Sequence, residues 1–453
     1  MVLPSIFYSG DFAVKKSPYI ILLAILLLTV GFYELRPLIQ TGYPYFHTTL
    51  WLMTKSNILF MTACLGGACA YLFLLPIKKI ELLVVATLGL TIDGFLISYR
   101  LAHVMENPLE EHLYGFLDLG PGLLIGAILA IIWRLIQYSK GKQIDKVIRC
   151  LEVLGLALSM PVFLSVGALK YGPYVYDPHL YALDSLWGVQ VSFILSKFLR
   201  GWQPLSLFMT AIYVYLSLFM MLAQIEVYRE NEELGIKHST RLIPAFYFLL
   251  IGILGTFCYE FLPAVGIDLY CGWNCFPNGP WPAANLNPVP IEAPLQFVRN
   301  CMPSLHLSWI LAIYYSLYRA KPIYKNTALV LVILTALSAF SVGCHYLIDL
   351  IIAIPFTMAL LAIVTPDASN RIRLIGAIFG TVTVLGWLCI FKYSITSALQ
   401  NPTLTLTLLV ATDIVALYLA HLICSRTKKT EETKLQQLLN VEPETQQEAA
   451  TPL

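Results

Sequence analysis

Apolar residues come in long blocks along this chain, and polar residues are confined to the connections between blocks. The blocks lie near residues 19–33, 57–75, 80–99, 113–136, 147–169, 204–227, 243–263, 302–318, 327–342, 346–364, 374–391 and 404–424. A bilayer crossing takes roughly 20 largely apolar residues in a helix, so the pattern predicts about twelve transmembrane helices. None of the blocks alternates as a barrel strand does, and an open strand would leave backbone groups unsatisfied in lipid. The predicted fold is all-α, a polytopic membrane bundle.

Lysine and arginine sort to one side of it. Lys15 and Lys16 precede the first block, and Lys78 and Lys79 follow the second. Arg134, Lys140, Lys142 and Lys146 close the fourth; Arg229, Lys237 and Arg241 follow the sixth. Arg319, Lys321 and Lys325 come after the eighth, Arg371 and Arg373 after the tenth, and Arg426, Lys428 and Lys429 after the last. If the spans alternate, all of these share one side. Cations in short loops mark the cytoplasm, so both termini are expected there, with no cleavable signal peptide. The tail after Lys428 is rich in Glu, Gln and Thr and lacks an apolar period, which predicts a disordered end. The opposite side carries an acidic segment (100–112), an aromatic, weakly amphipathic one suited to the interface (171–203), and a third rich in Pro, Asn, Trp and Gly (264–301).

Composition narrows the class further. Hydrophobic residues make up 58% of the 453 and charged ones 12%, about half the roughly 25% of a soluble domain. That excludes a soluble enzyme and a disordered protein. The net charge of +2 leaves no cationic excess for a nucleic-acid backbone. Most of the ten cysteines fall inside blocks, as small apolar residues. Cys271, Cys275 and Cys301 lie in or beside the third non-cytoplasmic segment, where a disulfide between two of them is compatible with an oxidising side; the spacing does not choose the pair. A zinc site there is disfavoured because the segment has no histidine.

Two polar clusters sit at block ends on the non-cytoplasmic side. The first is Arg299-Asn300-Cys301-Met302-Pro303-Ser304-Leu305-His306. Pro303 suits the first turn of a helix, which would bring Ser304 and His306 into that turn and aim free N–H groups at an anion. The second is Gly343-Cys344-His345-Tyr346-Leu347-Ile348-Asp349. On a helix His345 and Asp349, four apart, share a face. A carboxylate on one imidazole nitrogen fixes the tautomer and frees the other as a nucleophile. The combination fits phosphoryl transfer: His345 attacks phosphorus, Asp349 stabilises the imidazolium, His306 serves as acid and base, and Arg299 and Ser304 hold phosphate oxygens. A single histidine at a span end is usually just an interfacial polar group, and a His–Asp pair is often structural. Two such clusters on one side are harder to reach by chance.

Pro303-Ser304-Leu305-His306 followed by His345-Tyr346-Leu347-Ile348-Asp349 resembles the second and third signature motifs of the type-2 phosphatidic acid phosphatase superfamily. Leu305, where the common phosphatases have Gly, is similar to the branch containing fungal inositol phosphorylceramide synthase, in which a phospho-headgroup passes from a phospholipid to another lipid's hydroxyl. The resemblance covers roughly residues 205–364. It implies His345 as nucleophile, Asp349 as its orienting partner and His306 as acid and base. The family's pattern has an Arg six residues before the nucleophile, and this chain has Ala339; its first motif, a Lys and an Arg-Pro pair, has no clear counterpart before Arg299. Fewer cations suit a diester monoanion better than a monoester dianion.

Weaker signals remain. Asp93 (with Arg100 seven residues on) and Asp413 fall inside spans, where charge is a functional candidate but helix–helix hydrogen bonding is the commoner use. His103, Glu106, Glu110, Glu111 and His112 match no compact metal motif and suit a solvated acidic loop. The stretch from Trp273 to Trp281 could meet a polyol headgroup or anchor the loop at the interface.

The chain therefore divides into N-terminal spans of unassigned role (1–146), a phosphatidic acid phosphatase-like core (147–364), two C-terminal spans (365–425) and the tail (426–453). The expected activity moves a phospho-headgroup, phosphoinositol among the candidates, from a glycerophospholipid to a lipid or glycan hydroxyl through a phosphohistidine. No metal, other cofactor or nucleic acid is expected. A bacterial inner membrane and an ER or Golgi membrane both suit it, with the site on the periplasmic or lumenal side. The rivals are a lipid or polyprenyl phosphate phosphatase using the same residues, and a transporter; against the latter, the sequence shows no repeat and no paired broken helices.

Overall fold

A computed structural model describes residues 58–103, 120–167, 173–233, 244–272, 279, 283–293, 299, 302–366 and 368–441. The architecture is all-α apart from one pair of two-residue strands. In chain order the elements are α1 (Ile58–Leu74), α2 (Lys79–His103), α3 (Pro121–Lys140), α4 (Ile144–Gly167), β1 (Tyr174–Val175), α5 (Asp177–Asp184), α6 (Val191–Arg200), α7 (Gln203–Val214) and α8 (Leu216–Glu233). There follow α9 (Pro244–Phe261), α10 (Ile267–Cys271), β2 (Ile291–Glu292), α11 (Leu305–Ser316), α12 (Pro322–Val342), α13 (Leu347–Val364), α14 (Asn370–Tyr393), α15 (Ile395–Gln400) and α16 (Pro402–Val441).

Every apolar block that falls among the described residues is helical, but the count of spans differs from the expected twelve. Six helices are long and apolar enough to cross a membrane among the described residues: α3, α9, α12, α13, α14 and the 402–425 part of α16. A seventh forms if α7 and α8 are one span, bent by 53° where they meet. α1 is shorter, at 17 residues. The block at 302–318 yields α11 with only 12 residues; it is an inner helix, packed by α8, α9, α12 and α13. A helix apolar all round belongs inside a bundle, and in α11 every residue from Leu305 to Ile313 is buried. The Trp309 indole N–H donates to the Phe248 carbonyl at 2.9 Å and fixes α11 to α9. The first block lies outside the described residues.

α1 to α4 pack on one another and join the rest through α1 against α8 and α4 against α9. Asp93 works within this N-terminal group. Its carboxylate accepts the Gly122 N–H at 2.7 Å and the Gly120 N–H at 3.2 Å, satisfying the open end of α3. That is the helix-bonding use of an intramembrane charge. Asp413, by contrast, has one carboxylate oxygen without a hydrogen bond among the described residues. α14 and α16 pack on α13 and on each other. α16 runs on to Val441, so the first part of the segment expected to be disordered is helical.

Only part of the segment expected to lie along the interface is enclosed. β1 pairs antiparallel with β2, Val175 opposite Ile291, and α5 follows with every residue buried. α5 packs on α13, and α6 on α12. α5 is therefore a plug over the ends of the central helices, whereas Trp187, Val189, Ile194, Phe198 and Trp202 of the same stretch are exposed apolar side chains, as an interfacial segment requires. The acidic loop from Glu106 to His112, and Cys275, Cys301 and most of the stretch from Trp273 to Trp281, lie outside the described residues.

Candidate active site

The site is built on a turn between two helices. α12 ends at Gly343, whose φ of 79° is left-handed and suits a residue without a Cβ. Cys344 and His345 cross the gap, and Tyr346 is the N-cap of α13. His345 thus precedes the helix, and it does not reach Asp349 by sharing a helical face as the spacing predicts. The turn brings them together instead: Asp349, in the first turn of α13, lies with Oδ2 3.4 Å from His345 Nδ1. The same oxygen accepts the Tyr346 N–H at 2.8 Å, so the carboxylate also caps α13.

The other cluster meets this turn directly. The Ser304 N–H donates to the Asp349 backbone carbonyl at 3.1 Å. Ser304 is the N-cap of α11, so Pro303 lies outside the helix, one residue before the cap, and not in its first turn as expected. Its hydroxyl oxygen accepts the Leu307 N–H at 3.4 Å and lies 3.3 Å from His345 Nε2. One free N–H of the helix end is therefore already taken by Ser304.

His306 lies in the first turn of α11, two residues past the Ser304 cap. Its ring centroid is 6.4 Å from that of His345, the two rings meeting edge to face. Tyr213, near the C-terminal end of α7, stacks on His306 at 3.7 Å with the rings 16° from parallel. The Tyr213 hydroxyl lies 3.4 Å from His345 Nε2. With Nδ1 beside a carboxylate, the imidazole proton belongs on Nδ1, and Nε2 is the acceptor that faces both hydroxyls. His345, His306, Ser304 and Asp349 are all buried.

Around this lie two carboxylates from α5, seven residues apart and so two turns apart along one face. Asp177 accepts the Val265 N–H at 3.0 Å, the Gly266 N–H at 2.9 Å and the Tyr346 hydroxyl at 2.9 Å. Asp184 accepts from the Ser192 hydroxyl and, at 3.1 Å, from the Leu347 N–H. Burial pushes both carboxyls up to about 7, with the Asp349 charge adding to the effect and the hydrogen bonds opposing it. His179, between them in α5, is driven the other way by burial, down to about 4, and is neutral.

The cations stand further out. Arg299 is fully buried; its guanidinium donates to the Ala293 carbonyl at 2.9 Å. Burial lowers its pKa and the charge of Asp177 opposes that. Arg299 is thus tied to the cluster through Asp177, whose partner Tyr346 is the neighbour of His345. Ala339 is buried on α12. Arg200 of α6 reaches the end of that helix from outside, donating to the carbonyls of Ser341 and Val342, where a cation complements the helix dipole. Among the described residues no three His, Cys, Asp or Glu side chains are grouped to hold a metal ion.

The structure therefore brings His345, Asp349, His306 and Ser304 together, with Arg299 at the margin. Sequence reasoning missed Tyr213, Asp177, Asp184 and Arg200. Two acids seven apart in an apolar, aromatic segment were the one available signal for α5; nothing local marks Tyr213.

Residues 178–365 match the PAP2 superfamily. The match begins inside α5, ends just past α13 and takes in Ser304, His306, His345 and Asp349, so α5 and α6 belong to the same unit as the His345 turn. No curated protein and no solved structure matches the chain. Residues 178–365 thus carry a PAP2 superfamily domain, which supports a phosphatase or phosphotransferase-type enzyme.

Proposed function

We propose that this protein is a membrane lipid phosphotransferase that moves a phospho-headgroup from a glycerophospholipid to a lipid or glycan hydroxyl through a phospho-His345 intermediate. The observation that carries the reading is the environment of one imidazole. Its Nδ1 faces Asp349, its Nε2 faces the hydroxyls of Ser304 and Tyr213, and the His306 ring lies edge to face with it at 6.4 Å.

The steps balance as follows. His345 Nε2 forms a bond to phosphorus while the bond from phosphorus to the diacylglycerol oxygen breaks. Burial and, after it, the neighbouring His345 hold the His306 pKa well below the ordinary imidazole value, so the ring takes up its proton with the negatively charged donor and gives it to the leaving alkoxide. The acceptor hydroxyl then loses its proton to His306 and its oxygen bonds to phosphorus. The N–P bond breaks, and His345 is released neutral with its Nδ1 proton still on the Asp349 side.

Charge supports a diester donor. A phosphomonoester carries about −1.5 to −2 at neutral pH, and a phosphodiester carries one negative charge. Three buried carboxylates, those of Asp177, Asp184 and Asp349, surround the turn, and Ala339 stands where the family's pattern has a cation. Such a site tolerates one negative charge better than two. A phosphoinositol headgroup is one candidate within this class. The cation pattern of the short loops supports a site on the non-cytoplasmic side and cytoplasmic termini.

The test is product analysis by mass spectrometry on the purified protein and its His345→Ala variant. Each is given a mixed panel of phospholipids and lipid phosphates, with membrane extract as acceptor. Diacylglycerol together with a new headgroup-bearing product, in the wild type alone, is the expected result. Phosphate released from monoesters with phospholipids untouched would make the protein a phosphatase; substrate flux that survives His345→Ala would make it a transporter.

A further inference from the structure

We infer that Tyr213 is a further catalytic residue of this site, its hydroxyl passing from His345 Nε2 to a non-bridging phosphoryl oxygen when the donor binds. The inference rests on the phosphotransferase reading above and adds to it a neutral donor for the phosphate.

Three observations point to the phenol. First, the hydroxyl lies 3.4 Å from the one ring nitrogen that can attack phosphorus. Any phosphorus within bonding reach of Nε2 brings its oxygens into the space that this hydroxyl and that of Ser304 now share. Second, the ring is held, with no freedom to swing away: it is buried, it stacks face to face on His306 at 3.7 Å, and its hydroxyl also pairs with the Cys344 side chain. A rotamer fixed by packing loses little entropy when it binds a ligand. Third, the chain is arranged to deliver it. α7 stops at Val214, and the helix resumes as α8 at a 53° angle. Tyr213 is thus in the last turn before a break, where α7 meets the turn after α12.

The chemistry it would supply is the kind this site otherwise lacks. Where the family's pattern has a guanidinium, this chain has a methyl group on Ala339. Arg200, the cation nearest that helix end, has donors committed to the Ser341 and Val342 carbonyls. Charge develops on the phosphoryl oxygens during transfer, and a preorganised donor in a dry site stabilises it. A phenol does so without adding a formal charge, which matches a donor with one negative charge and three carboxylates nearby. The hydroxyl keeps its proton throughout; His306 remains the group that moves protons.

Tyr213→Phe separates the two roles of the side chain, since it keeps the ring on His306 and removes the hydroxyl. With the diester donor identified by product analysis, Tyr213→Phe is expected to lower kcat about 100-fold while KM stays within a factor of about three, the signature of a donor used in the transition state. Tyr213→Leu, which also loses the stack, is expected to fall further. Near-wild-type kcat in Tyr213→Phe overturns the assignment and leaves the ring as a support for His306. 3-Fluorotyrosine introduced at position 213 covers a poorly folded Phe variant: it keeps the shape and makes the hydroxyl a stronger donor, so kcat is expected to rise, and an unchanged kcat equally overturns the proposal. If wild type shows no His345-dependent turnover of any diester, the phosphotransferase reading has failed and not the assignment of Tyr213 alone.

Discussion

Asp349 Oδ2 accepts the Tyr346 backbone N–H at 2.8 Å and stands 3.4 Å from His345 Nδ1, an approach without a hydrogen bond. One carboxylate oxygen thereby closes the end of α13 and faces the imidazole. Asp349→Asn can keep an oxygen on the backbone N–H, but its amide cannot hold a proton on Nδ1 as a carboxylate does. The expected result is a loss of about 10³–10⁴ in kcat with the fold retained. Turnover of purified variant and wild type, alongside far-UV circular dichroism, checks it; a loss below tenfold would show that His345 does not depend on this carboxylate.

Asp177 and Asp184 make stability depend on pH with a definite sign. Their folded-state values, about 7, lie above the ordinary carboxyl value of 3.8. The folded protein holds these protons more tightly than the unfolded chain, so their contribution is complete below about pH 4 and is lost as pH rises through 7. Thermal unfolding in detergent micelles is expected to move to lower temperature between pH 5 and pH 8. In Asp184→Asn, where the group cannot ionise, that drop is expected to be smaller. Parallel curves for variant and wild type would sink the assignment.

Arg299 is the buried cation tied to the cluster through Asp177. If it is the main clamp on the donor phosphate, Arg299→Gln is expected to abolish activity. Lysine is not expected to restore it, because a point charge does not replace a planar, forked donor. Turnover is measured only on variant protein that elutes as a single species, since loss of a buried charge also unbalances Asp177. Near-normal turnover in that protein would remove Arg299 from the phosphate site.

Gly266 backs the turn that carries His345. Its φ is +92°, and a Cβ there would lie 2.7 Å from the Cys344 carbonyl oxygen. Neither the backbone conformation nor the contact admits a methyl group, and the contact is with backbone, which cannot rotate away. Gly266→Ala is expected to destabilise the protein by about 1–3 kcal/mol and to lower kcat by displacing His345, whereas Gly188→Ala, with φ +79° but open space around it, is expected to leave kcat unchanged. Equal kcat in the two variants would mean that the turn moves freely.

The sequence by itself determined much of this protein. Long apolar blocks give helices because a backbone in lipid must satisfy its own hydrogen bonds, and every described block is one. His345, Asp349, His306 and Ser304 were also legible as candidates, because each cluster is local and stands out against an apolar background. Tertiary structure decided what hydropathy averages over. The break at Tyr215 leaves no mark on the apolar content of the block from 204 to 227, and α11 is as apolar as a span but too short and too enclosed to be judged from composition. Two partners of the His345 turn come from far along the chain: Tyr213 meets His345 across 132 residues, and Asp184 meets Leu347 across 163. Contacts at that separation follow no local period. They exist because α5 and α7 are packed over the ends of α11 and α13, where buried polar groups must find partners in one another.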